Sequence, residues 1–257
     1  MPRSRLYTDT DLRPGTELML GGAPARYLGR VLRLRVGDEL TLFNGHGGEY
    51  YAVVQSLGKE AVTLEVGEFI DREAESPLRI HLLQGLARGE RMDLIVQKCT
   101  ELGVSRISPL STDHGVVRLE GKRARKRVDH WRGIAASACE QCGRNRLPEI
   151  DEPIGLRDWL GQNLEQQAAR IIFRPDAATP IGDAAVDAST LVLLIGPEGG
   201  FSESEYELAE ATGFEPVGLG PRILRTETAA MAAVTALQTL FGDMARQTSP
   251  DIARAGA

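Results

Sequence analysis

The rhythm of apolar and polar positions changes near residue 70. Before it, short stretches rich in Leu, Val and Tyr alternate with turn signals such as Val36-Gly37-Asp38-Glu39 and Phe43-Asn44-Gly45-His46-Gly47-Gly48. This pattern predicts strands over 39–43, 49–54 and 62–66, closed into a compact β-barrel, with a helix over 25–32 ahead of them. Residues 71–77 are charged, lack apolar periodicity and end in Pro77, which reads as a linker. From Leu78 onward, strands predicted over 79–83, 107–110, 171–173, 191–195 and 216–219 alternate with helices over 90–102, 122–139 and 226–241. Met92, Ile95, Val96 and Cys99 fall on one face at helical spacing. Ser202-Glu203-Ser204-Glu205 forms a capping box that opens a further helix. Such βα alternation implies a mostly parallel sheet with helices on both faces.

Two stretches of the second region stand out. In Leu193-Leu194-Ile195-Gly196-Pro197-Glu198-Gly199-Gly200-Phe201-Ser202 a fully apolar strand runs into a glycine-rich turn and then a helix. Gly218-Leu219-Gly220-Pro221-Arg222-Ile223-Leu224-Arg225-Thr226-Glu227-Thr228-Ala229 repeats that plan. Open α/β sheets bind ligands at such strand ends, so the two turns predict one site built from both. Neither turn carries the Gly-Lys-Ser/Thr of a phosphate loop or the Gly-x-Gly-x-x-Gly of a dinucleotide fold. Glycines here let the backbone approach a flat ligand. Arg222 and Arg225 suit phosphate or base carbonyl oxygens, or else an ion pair with Glu198 or Glu227.

Charge sharpens the picture. The whole chain has a formal net charge of −6. Residues 79–146 nevertheless hold 14 Lys and Arg against 7 Asp and Glu, whereas residues 147–257 hold 7 against 17. This asymmetry predicts a basic face on an otherwise acidic protein. The run Lys122-Arg123-Ala124-Arg125-Lys126-Arg127 belongs to it, as a track for RNA or as a solvated helix face. Arg26, Arg30, Arg33 and Arg35 form a second basic cluster. Three cysteines are too few for a disulfide framework, which leads us to expect a reducing, cytoplasmic setting. The first residues do not resemble a signal peptide, and no run of 18 apolar residues exists, so no membrane span is expected. Cys139 and Cys142 form a single Cys-x-x-Cys, short of the roughly four ligands zinc takes, and His46, His81, His114 and His130 show no ligand spacing. No metal is expected.

The two glycine loops, Leu194-Ile195-Gly196-Pro197-Glu198-Gly199-Gly200 and Leu219-Gly220-Pro221-Arg222-Ile223-Leu224-Arg225-Thr226-Glu227-Thr228-Ala229, resemble those of the RsmE family. These are 16S ribosomal RNA uridine N3-methyltransferases of the SPOUT, or trefoil-knot, superfamily. Further blocks extend the resemblance: Arg91-Met92-Asp93, Gln97-Lys98, Glu101-Leu102-Gly103-Val104, Ala138-Cys139-Glu140-Gln141-Cys142-Gly143-Arg144-Asn145, Val31-Leu32-Arg33-Leu34-Arg35 and Gly47-Gly48-Glu49-Tyr50. One departure is Arg26-Tyr27-Leu28, where family members often carry a histidine pair.

The resemblance implies a PUA-like RNA-binding β-barrel over 1–70, a linker over 71–77, a trefoil-knotted SPOUT α/β domain over 78–246 and a flexible tail over 247–257. It implies a homodimer acting on 16S ribosomal RNA within the small ribosomal subunit, with S-adenosylmethionine as cofactor. Matching motif positions assign the cofactor to Leu194, Gly196, Gly199, Gly200, Leu219, Gly220, Ile223 and Leu224. Catalysis is expected from Arg225, with Glu227 or Glu198 orienting it or relaying a proton. RNA backbone contacts are expected from Arg5, Arg30, Arg33, Arg88 and Arg91. A catalytically silent ribosome-assembly factor and a small-molecule nucleotide enzyme are the competing readings.

Overall fold

The computed structural model describes residues 3–58, 60–162, 168–186 and 189–245, so the tail expected over 247–257 lies outside the described residues. The chain divides into two compact units, one of Met1–Glu75 with Cys139–Leu147 and one of Ser76–Ala138 with Pro148–Ala257.

The first unit is a five-stranded sheet formed by β1 (Ser4–Tyr7), β2 (Glu17–Gly21), β3 (Glu39–Phe43), β4 (Glu49–Leu57) and β5 (Ala61–Ile70). Its order is β1-β3-β4-β5-β2, with β1 parallel to β3 and the other pairs antiparallel. β1 escapes the hydrophobic pattern because Leu6 is its one buried residue. In place of the helix expected over 25–32 stand a single α-turn, α1 (Ala23–Arg26), and a π-turn over Tyr27–Val31. There the Leu32 amide reaches back five residues to the Tyr27 carbonyl, a widened turn around Gly29. Leu28, Leu40, Leu42, Leu64 and Val62 are fully buried in this unit's core.

Residues 71–77 form no helix or strand but are not slack. Arg72 bonds the Glu49 carboxylate and the Gly143 carbonyl at 3.3 Å each, and Glu75 takes Arg144 at 2.6 Å. Arg5 pairs with Glu49, donates to Asn145 Oδ1 at 2.6 Å and covers the Phe43 ring. These bonds explain why Cys139–Leu147 counts with the first unit.

The second unit is built on β6 (Arg79–Gly85), α2 (Arg91–Glu101), β7 (Val104–Ser111), α3 (Gly121–Cys142), β8 (Glu149–Ile150), β9 (Ile154–Gly155), α4 (Leu156–Leu160), β10 (Ala169–Phe173), β11 (Thr190–Ile195), α5 (Glu203–Ala211), β12 (Glu215–Val217) and α6 (Thr226–Leu240). All its strands pair in parallel, in the order β12-β10-β11-β6-β7-β8 with β9 also on β7. Along β11, Leu191, Leu193 and Ile195 enter one core layer while Val192 and Leu194 enter the other. A strand buried on both faces has to be apolar throughout, and so it is legible as an unbroken run. α2 and α6 turn Met92, Ile95, Val96, Ala230, Ala233, Val234 and Leu237 onto the first layer. α4 and α5 close the second with Leu156, Leu160 and Ala209. The capping box at Ser202 forms as expected, with Glu205 bonding the Ser202 amide at 2.9 Å.

Candidate active site

The carboxyl ends of β6, β7, β10, β11 and β12 all lead into segments that line one cavity of about 760 Å³. That size falls within the roughly 300–1,000 Å³ of small-molecule and cofactor sites. Its walls include Gly196, Gly199 and Gly200 after β11 and Leu219, Gly220, Ile223 and Leu224 after β12. Seven of the eight residues expected to hold the cofactor therefore meet here. The eighth, Leu194, has its side chain in the second core layer, and its neighbour Ile195 lines the cavity instead.

Bonds across the sheet hold the first loop. The Thr226 hydroxyl donates to the Gly196 carbonyl at 2.6 Å and accepts from Gln84 Nε2 at 2.9 Å. Gln84 is fully buried, so the end of β6, the first loop and the start of α6 share one polar knot in a low-dielectric setting. Gly85 lies under the same loop. A Cβ there would stand 2.9 Å from the Gly196 carbonyl carbon and nearer still to Pro197, so only glycine admits this backbone approach. On the far side, His114 Nδ1 donates to the Gly199 carbonyl at 3.1 Å, and Ser202 donates to Asp113 at 2.7 Å. A carbonyl only accepts, so the His114 Nδ1 that faces it carries a proton.

Arg225, Glu227 and Glu198 all line the cavity, and so do Arg88 and Arg91, which the sequence reading places on an RNA-binding face. The ion pairs differ from the expected ones. Arg91, not Arg222 or Arg225, bonds Glu198 at 2.6 Å and lies 3.7 Å from Glu227. The reason is topological: α2 starts directly above the first loop, whereas the second loop turns its arginines outward. Partial burial alone would raise the Glu198 carboxyl. The Arg88 and Glu198 amides and the Arg91 guanidinium outweigh it and hold the group below the usual carboxylate range. Glu198 is thus a fixed anion and a weak proton acceptor. Glu227 is buried, and its Oε2 has no partner among the described residues.

Arg222 and Arg225 are exposed and make no ion pair among the described residues. Arg225 takes extended backbone angles as the residue that starts α6. Arg30 and Arg33 are in the first unit, Arg33 with φ of 55°. Arg5, expected on RNA, has a side chain only 12% exposed and spent on Glu49 and Asn145. Its place in the fold, packed on Phe43, leaves little of it to meet a partner. Sequence reasoning missed His114, Arg174, Tyr206 and Gln84. The turn Thr112-Asp113-His114-Gly115 after a predicted strand was the available signal for the first of these.

Among the described residues no cluster of three or more His, Cys, Asp or Glu could hold a metal ion.

The RNA methyltransferase domain family matches residues 74–238, and the RNA methyltransferase PUA domain family matches residues 20–67. A ribosomal RNA small subunit methyltransferase E from Buchnera aphidicola is 36% identical over 93% of this chain and 97% of its own. The chain belongs to the RsmE family. Another RsmE protein, from Bacillus subtilis, is 30% identical over 90% of this chain and 93% of its own. The crystal structure of RsmE from Neisseria gonorrhoeae, bound to S-adenosylmethionine, is 40% identical over 94% of this chain and 99% of its own, with a TM-score of 0.89. The α/β domain with its parallel sheet and the small PUA-like β domain are thus those of RsmE proteins, as the motifs implied.

Proposed function

We propose that the chain transfers a methyl group from S-adenosylmethionine to N3 of a uridine in 16S ribosomal RNA. The carrying observation is a shared cavity where both glycine loops meet Arg225, in a chain of the RsmE family. The cavity suits this cofactor because backbone groups of Gly196, Gly199, Gly200 and Gly220 and the side chains of Leu219, Ile223 and Leu224 offer both hydrogen bonds and apolar surface to a flat ring. The bound cofactor supplies an already activated methyl group on its sulfonium.

Position then does much of the work, since holding N3 in line with the methyl turns a bimolecular step into an intramolecular one. Neutral N3 is a poor nucleophile and must lose its proton. Arg225, with no acid partner among the described residues, donates to the base carbonyls beside N3 and stabilises the imide anion, so the N3 proton passes more readily to solvent water. Glu198 and Glu227 both face Arg91. Their role is to set Arg91 at the cavity wall, not to orient Arg225. Arg88, Arg30 and Arg33 remain as RNA contacts, and Arg5 supports the fold of the first unit. The small subunit is the substrate and the cytoplasm the setting. Exposed Leu94 on α2, Leu240 at the end of α6 and Met244 beyond it favour burial against a second copy of the chain.

The test is incubation of the pure protein with methyl-labelled S-adenosylmethionine and unmodified small subunits, followed by digestion of the RNA. Label in 3-methyluridine is the expected result. Label in another nucleoside overturns the N3 assignment, and no label, with a control enzyme active on the same subunits, favours a silent assembly factor.

A further inference from the structure

Many cations of the second unit are tied to acids, as Arg106 is to Asp151 at 2.9 Å and Arg157 to Asp113 at 3.1 Å. Arg118, Lys122, Arg123 and Lys126 are different. All four are exposed, and none has an ion pair or side-chain hydrogen bond among the described residues. They follow one another along a segment that starts inside the cavity, where His114 and Val116 are part of the wall. Beyond it the exposure alternates: Val117 and Leu119 pack against the core while Val116, Arg118 and Glu120 face solvent. A period of two is that of extended chain, so Arg118 shares the face of the cavity-lining Val116. The row runs on into the first two turns of α3 with Lys122, Arg123 and Lys126, while Arg125 between them is drawn to Glu152 at 3.7 Å.

This arrangement does not serve stability. α3 has no acidic residue in its first turn. The amino end of a helix carries partial positive charge and favours anions, so clustered cations there oppose the dipole and one another. Glu120 is the one acid in the row. A chain of regularly spaced phosphates matches such a line of free cations. Val116, 59% exposed at the cavity edge, offers apolar surface where the line ends.

We infer that this row is the track along which the RNA strand bearing the target base reaches the cavity. Its phosphates lie on Arg118, Lys122, Arg123 and Lys126, and a base lies against Val116 and His114. The inference rests on the reading of the chain as a ribosomal RNA methyltransferase. It adds a second RNA surface, on the methyltransferase unit itself, to the basic cluster of the first unit.

The test compares the full chain with the variant Arg118→Gln/Lys122→Gln/Arg123→Gln/Lys126→Gln. Methylation of unmodified small subunits and salt-dependent binding to their RNA are both measured. The KM for subunits is expected to rise about tenfold or more. The slope of log affinity against log salt should flatten by roughly 2–3, at about 0.7 per lost single-strand contact. Affinity for S-adenosylmethionine should hold, and Tm should stay level or rise, because the removed charges opposed the helix dipole. Unchanged KM and slope overturn the track. A lower Tm with lost cofactor affinity assigns the row to folding and overturns it as well. The charge-conserving Lys122→Arg/Lys126→Arg variant should retain the original KM and slope, and loss of binding there also counts against the track. Failure of the unaltered chain to methylate any RNA overturns the underlying reading instead.

Discussion

The two loops that form the cavity are built on one plan and held in opposite ways. The loop after β11 is fastened at Gly196 by Thr226, at Glu198 by Arg91 and the Arg88 amide, at Gly199 by His114 and at Ser202 by Asp113. The loop after β12 leaves Arg222, Ile223 and Arg225 exposed. Strong fastening sets backbone groups in place before any ligand arrives, which lowers the ordering cost of binding. The open loop keeps its cations available for what comes later. On the proposed function both loops receive the cofactor, and the open one also acts on the RNA.

Replacing Arg225 tests this division most severely. Arg225→Ala should lower kcat by about 10²–10³-fold, the usual cost of one lost donor at a developing anion. Cofactor affinity, measured by calorimetry, should barely change; parallel loss of both would merge the roles of the two loops.

Acid should loosen the fastened side from below. His81 lies on β6, three residues before Gln84, donating to Ser108, which in turn donates to Asp151. Burial, reinforced by Arg106 and opposed by Asp151, pushes the imidazole down to about 4 from 6.5. The unfolded chain then takes up the proton first, so stability is full above pH 6.5 and falls as pH drops toward 4. At about 1.4 kcal/mol per pH unit the loss approaches roughly 3 kcal/mol. Denaturant titrations of His81→Gln should show a flatter pH dependence across that window.

Thr226→Val removes the hydroxyl that joins Gln84 to Gly196. Buried groups left without partners cost about 1–3 kcal/mol, visible as a lower urea midpoint together with a raised KM for S-adenosylmethionine. The smallest effect belongs to the open loop. Ile223→Ala should move folding stability by no more than about 0.5 kcal/mol, as for exposed positions in general. Any larger shift in the urea midpoint would mean that Ile223 is covered in solution.

The fold was legible wherever burial alone dictates sequence. β11 was readable because both its faces are covered, and the α5 cap because Ser202 and Glu205 must satisfy local amides. β1 was not, since a short strand with one inward leucine carries no period. The turns over 23–31 misled because an apolar helical pattern does not report hydrogen-bond register. Within the site, the glycine loops announced themselves through strand-to-turn punctuation. Which acid meets which arginine did not, for the pairing of Arg91 with Glu198 joins residues 107 apart. The internal fate of Arg5 depended in the same way on Asn145, 140 positions along.

The polar knot at Gly196 also carries a timetable. Its members come from the end of β6, the turn after β11 and the first residue of α6, with Gln84 and Thr226 separated by 142 positions. Contacts so distant along a chain form late, because the loops they close cost entropy before the contact returns anything. A nascent chain that has emerged only as far as β12 already holds every strand of the parallel sheet, yet only the long 3.5 Å contact from Gln84 reaches the carbonyl of Gly196, without the 2.6 Å bond from Thr226. The loop after β11 is finished only when α6 arrives, so on the proposed function the capacity to bind the cofactor appears late in folding.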